Sequence, residues 1–137
     1  MITFEFTIEG PPVSAQGPGR QRLKAWRTAL RAAATEHWPP NTPPSEEPLE
    51  ITIVYYHEGE SIRMDNDNMV KPIQDALAGL IYVNDNQITD AHIRKTRLDG
   101  AFRVRGMSPA LAEAFCRDRE FLHIKVTSAP DHTELLQ

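Results

Sequence analysis

A chain of 137 residues with 40% hydrophobic content is long enough to bury one core and too short to need a second domain. Its net charge of −4 offers no general attraction for nucleic acid, yet the charges are segregated. Arg20, Arg22, Lys24, Arg27 and Arg31 crowd one segment, Arg94, Lys95, Arg97, Arg103 and Arg105 another, and Glu46, Glu47, Glu50, Glu58 and Glu60 a third, so local patches decide what can dock.

No stretch approaches the roughly 20 apolar residues of a membrane span. Glu5 and Glu9 interrupt the region where a signal peptide would be uniformly apolar. Cys116 is the single cysteine and cannot form an internal disulfide, so a soluble protein of the cytoplasm is expected, with no membrane partner.

In chain order, Ile2, Phe4, Phe6 and Ile8 alternate with Thr3, Glu5, Thr7 and Glu9, the period of a strand with one wet face. Gly10-Pro11-Pro12 stops it, and Gly17-Pro18-Gly19 opens a helix over Arg20 to His37. On that helix Leu23, Trp26, Leu30 and Ala33 share one face, while Arg20, Lys24, Arg27 and Arg31 form a basic stripe on another. Pro39, Pro40, Pro43, Pro44 and Pro48 make the next stretch an extended connector, expected only to link. Leu49 to His57 is apolar on both sides and is expected to be a central strand.

A second helix is expected from near Asn68, with Pro72 in its first turn and Gly79 at its end. Ile81 to Val83 reads as a short strand, Asn84-Asp85-Asn86 as a turn, and Gln87 to Leu98 as a long strand turning at Asp99-Gly100 into Ala101 to Arg105. Ser108-Pro109 starts a short helix through Arg117, and Phe121 to Thr127 is the last strand. The expected fold is α+β: one domain over residues 1–128, a mixed sheet of about five or six strands flanked by two to three helices, and a flexible tail over 129–137.

Chemistry concentrates in Arg63-Met64-Asp65-Asn66-Asp67-Asn68-Met69-Val70-Lys71-Pro72-Ile73-Gln74-Asp75-Ala76-Leu77 and in Asn84-Asp85-Asn86-Gln87. In extended chain, residues two apart point the same way, so Asp65 and Asp67 would place two carboxylates side by side ahead of the helix. A hard divalent cation relieves their repulsion. A helix of about 16 Å followed by a strand of similar length would bring Asp85 back beside them. Lys71, four residues after Asp67, supplies a cation on the near face. Carboxylates around a metal, with a lysine, suit phosphodiester hydrolysis. A helix-loop-helix calcium site is excluded: counted from Asp65, Val70 stands where glycine is required and Ala76 where the bidentate glutamate belongs.

The pattern Asp65-x-Asp67-Asn68-x-x-Lys71-x-x-x-Asp75-Ala76-Leu77, with Asp85 and Gln87-Ile88 downstream, resembles the RusA-type Holliday junction resolvases. The resemblance implies that Asp65, Asp67 and Asp85 are metal-binding catalytic carboxylates and that Lys71 is the essential lysine. It also implies Mg²⁺ (or Mn²⁺) dependence, branched DNA as substrate, and a homodimer making two symmetric cuts. Asn84 stands where members commonly carry a further aspartate.

Other readings stay open beside these. Asp67 and Asn68 also suit helix capping. Asp75, four residues beyond Lys71, is expected to orient that lysine rather than bind metal. The stripe of Arg20, Lys24, Arg27 and Arg31 is either a solvated face or a DNA-backbone contact, and Arg63 is a further candidate phosphate contact. His57 and His92, on strands, are not expected to be ligands, and Cys116 is expected to be buried. The same fold would also serve a DNA-binding module with weak catalysis, or a metal-dependent hydrolase of small phosphate esters.

Overall fold

The computed structural model describes residues 2–13, 19–58, 66–98, 107–117 and 119–133, without the side chains of Asn66 and Asp67. Its elements are β1 (Thr3–Glu9), α1 (Arg20–His37), β2 (Leu49–His57), α2 (Asn66–Leu77), β3 (Ile88–Arg97), α3 (Pro109–Cys116) and β4 (Phe121–Ser128). The strands form one mixed sheet in the order β1-β4-β2-β3, with β4 antiparallel to both neighbours and β3 parallel to β2. The class is α+β, as the interleaving of helices and strands predicts.

β2 explains the layering. Its odd-numbered residues Ile51, Ile53 and Tyr55 join the main core with Trp26, Leu30 and Ala34 of α1 and Met69, Ile73, Ala76 and Leu77 of α2. Val54 and Tyr56 point to the opposite face, where they pack with Leu111 and Ala114 of α3 and with Phe121. A strand apolar on both faces must lie inside a sheet, and β2 sits between β4 and β3. Each large side chain so buried contributes on the order of 1.5–3 kcal/mol.

α3 is tethered as its sequence predicts: Ser108 Oγ accepts from the Leu111 N–H at 3.2 Å, with Pro109 in the first turn. Ser108 also donates to Glu5 at 2.9 Å, and His123 meets the same Glu5 oxygen at 2.6 Å. Cys116 at the end of this short helix is exposed rather than buried, because Leu111 and Ala114 occupy the face turned to the sheet.

The described residues form four strands, where five or six are expected for the chain. Ile81–Val83 makes no strand of its own; Tyr82 forms isolated bridges to Ser45 and Ala78. Gly79, in the left-handed region at φ 84°, turns the chain too sharply for a return strand to run beside α2. Ala101–Arg105, the other expected strand, lies outside the described residues.

α2 starts earlier than the proline suggests. It begins at Asn66, so Pro72 lies in the helix interior instead of the first turn. Residue 72 has no N–H for the Asn68 carbonyl, a defect that typically costs about 3 kcal/mol. The Pro72 ring is buried, which offsets part of that cost. Past β4, Ala129 donates to the Pro48 carbonyl at 3.0 Å and His132 meets Asp90 at 2.7 Å.

Candidate active site

Asp67 lies in the first turn of α2, where the helix dipole favours a carboxylate. The extended geometry expected to align it with Asp65 therefore does not apply to it. Asp65 and Arg63 are outside the described residues. Lys71 and Asp75, four residues apart on α2, share one helix face.

Asp75 is held by two cations. The Lys71 ammonium stands 4.0 Å from one of its oxygens and Arg27 of α1 stands 3.8 Å from the other. All three groups are solvated, so the pairs add little stability but fix which way the lysine leans. The same pairs make Asp75 a poor metal ligand, since its oxygens already face positive charge.

Asp85 differs in kind. It opens a short 3-10 turn over Asp85–Gln87, is half-buried, and has no hydrogen-bond partner for its carboxylate among the described residues. Tyr82 relates it to α2. The Tyr82 hydroxyl donates to the Gln74 carbonyl at 2.6 Å, and its pKa is pushed up first by burial and then by the charges of Asp85 and Asp75. The charges of both carboxylates therefore act on one phenol.

The turn bearing Asp85 is tightly built. Asn84 caps it by accepting from the Asn86 N–H at 2.8 Å. Gln87 completes a reciprocal capping box, its Oε1 accepting from the N–H groups of Val83 at 2.9 Å and Asn84 at 3.0 Å. The spacing Asn84-x-x-Gln87 carried this signal, although no role for Gln87 follows from the metal-site argument alone. The proline-rich connector does more than link: its Ser45 and Glu47 carbonyls accept from Gln87 Nε2 at 2.8 and 2.9 Å. Extended proline-rich chain has no internal hydrogen bonds, so such carbonyls are open to outside donors.

The basic stripe of α1 divides into three. Arg31 Nη1 donates to the carbonyls of Ala76 and Ala78 at 3.1 and 2.8 Å, closing the C-terminal end of α2. Arg27 holds Asp75. Arg20 and Lys24 are exposed, without a side-chain partner among the described residues, and line an open groove with Gln21, Ala25 and Thr28. Among the described residues no three His, Cys, Asp or Glu side chains cluster closely enough for a metal ion. Two of the three expected ligands, Asp65 and Asp67, lack described side chains. The donor that is described, an unengaged carboxylate, has the oxygen chemistry suited to Mg²⁺ or Mn²⁺.

Oxygen-ligated cations with a nearby lysine serve phosphodiester hydrolysis in proteins of many folds, and here Asp85 is unpartnered among the described residues while Lys71 is exposed beside Asp75. A model of the endodeoxyribonuclease RusA family matches residues 16–105, and the chain belongs to this family. The matched span includes Asp65, Asp67, Lys71 and Asp85. Membership brings endodeoxyribonuclease activity of the Holliday-junction-resolving type, in a family generally dependent on divalent metal. No curated protein matches the chain. Among the described residues no helix is long and apolar enough to cross a membrane.

Proposed function

We propose that this protein is a homodimeric, metal-dependent endonuclease that resolves four-way DNA junctions in the cytoplasm, with Asp65, Asp67 and Asp85 holding Mg²⁺ or Mn²⁺. The observation that carries the reading is the family match, which spans every residue assigned to the chemistry. The open Asp85 carboxylate supports it. When bound, the cation lowers the pKa of a water molecule and neutralises charge building on the scissile phosphate.

The chain's own groups do the rest. Lys71 is largely solvent-accessible, so its ammonium is free to meet a phosphate oxygen, while Asp75 limits where that ammonium goes. Asn68, in the first turn of α2, supports the start of the helix. Arg20 and Lys24 offer exposed charge to the DNA backbone on the α1 side, and Arg63 adds a phosphate contact next to Asp65. Two protomers supply the two symmetric cuts that resolution requires.

Purified protein incubated with a synthetic four-way junction in Mg²⁺ is expected to give paired, symmetric nicks. Asp67→Asn should abolish cutting and leave junction binding intact. Robust cleavage by Asp67→Asn would refute the assigned mechanism.

A further inference from the structure

Gln87 has no charge and no place among the proposed ligands, yet its side chain makes four hydrogen bonds two residues from Asp85. A glutamine amide offers two acceptor sites on oxygen and two donors on nitrogen. Oε1 accepts from Val83 and Asn84, and Nε2 donates to Ser45 and Glu47, so all four sites are used. The orientation of the amide is chemically forced, since two N–H groups lie on one side and two carbonyls on the other. Every bond goes to backbone, which ties the segment before Asp85 to the connector that leads into β2.

The bonds straddle Asp85. Val83 and Asn84 precede it, Gln87 follows it by two residues, and the Gln87 N–H returns to the Asn84 carbonyl at 3.0 Å. Ser45 strengthens the same junction, donating its N–H to the Ile81 carbonyl at 2.8 Å and accepting the Val83 N–H at 3.3 Å. The Asp85 carboxylate itself has no partner among the described residues. The backbone around it is thus fixed from both sides while the acid group remains open.

We propose that Gln87 is the positioning residue for Asp85: its saturated amide holds the Asp85 turn against the 45–47 connector, so that the carboxylate is presented in one geometry to the cation. The inference rests on the reading of Asp85 as a metal ligand. Groups that orient a ligand without touching the metal commonly change metal affinity by about 10–100-fold when lost.

The test is Gln87→Met, which keeps the length of the side chain and removes all four bonds. Mn²⁺ binding to the protein alone, by calorimetry, should weaken by about tenfold or more. The Mg²⁺ concentration for half-maximal junction cleavage should rise by a similar factor, with the KM for DNA unchanged. Gln87→Asn keeps the amide on a side chain one methylene too short to span both partners, and it should show a smaller shift in the same direction. Wild-type Mn²⁺ affinity in either folded variant overturns the proposal, and so does loss of the fold in both, which would make Gln87 a folding element. Asp85→Asn separates the two levels. If it cleaves like wild type, the ligand assignment itself fails; if it is inactive while Gln87→Met binds Mn²⁺ normally, only the positioning role fails.

Discussion

Arg31→Met removes the two bonds from the guanidinium to the Ala76 and Ala78 carbonyls, at 3.1 and 2.8 Å, and a positive charge at the C-terminal end of α2. A hydrogen bond from a charged donor contributes about 1.5–3 kcal/mol when desolvated, and about 1 kcal/mol is appropriate for each here because the side chain is exposed. The lost interaction with the helix dipole adds roughly 0.3–1 kcal/mol. The expected destabilisation is about 2.5 kcal/mol, or roughly 8 °C in the thermal midpoint for a domain of this size. Urea unfolding and a thermal melt measure it, and Arg31→Lys should recover about half. Junction binding is the counter-assay. If Arg31 instead contacts a phosphate, Arg31→Met would leave the melt unchanged and reduce the salt dependence of binding by about one ion. That outcome would refute the capping role.

Two further outcomes follow from other parts of the molecule. Asp75→Asn should lower the cleavage rate by about tenfold at most and leave unfolding within about 0.5 kcal/mol of wild type, because it frees Lys71 without removing a proposed ligand; complete loss of cleavage in single-turnover assays would instead make Asp75 a ligand. Burial alone would raise the Glu5 pKa, but the bonds from His123 and Ser108 and the charges of His123 and Lys125 outweigh it and hold it below the usual 4.5. A depressed acid stabilises the fold above its unfolded pKa and loses that contribution as pH falls through its folded value. Urea midpoints should therefore drop as pH is lowered below about 4.5, and Glu5→Gln should flatten that acid limb; an equally steep limb in the variant would rule out Glu5 as its source.

Much of the scaffold was legible in the sequence because its signals are periodic. α1 occupies Arg20–His37 as its amphipathic spacing and flanking residues predict, and β2 is central as its two apolar faces require. Signals that admit two meanings were less reliable. Pro72 suits a first turn, and Asp67 and Asn68 suit a cap, so a start near Asn68 is expected; the helix begins at Asn66 and takes Pro72 into its interior. Ile81-Tyr82-Val83 has strand composition, but the turn at Gly79 and the bridges of Tyr82 leave it no full pairing partner. Arg27 and Arg31 look identical within the stripe, and only the packing of α1 on α2 separates an aspartate partner from a carbonyl cap. The return strand that would carry Asp85 back toward α2 is absent among the described residues, so helix and strand lengths alone do not place that carboxylate.

The strand order also bears on how the protein is made. Among the described elements β4 comes last in chain order, yet it lies between β1 and β2 and is the strand that pairs with β1 there. β2, α2 and β3 are consecutive in the chain, and β2 pairs in parallel with β3. β1 meanwhile waits with Phe4 and Phe6 unsheltered by a neighbouring strand. A nascent chain stalled ahead of Phe121 would therefore hold β2 and β3 without the strand that joins them to β1, leaving Phe4 and Phe6 without that neighbour.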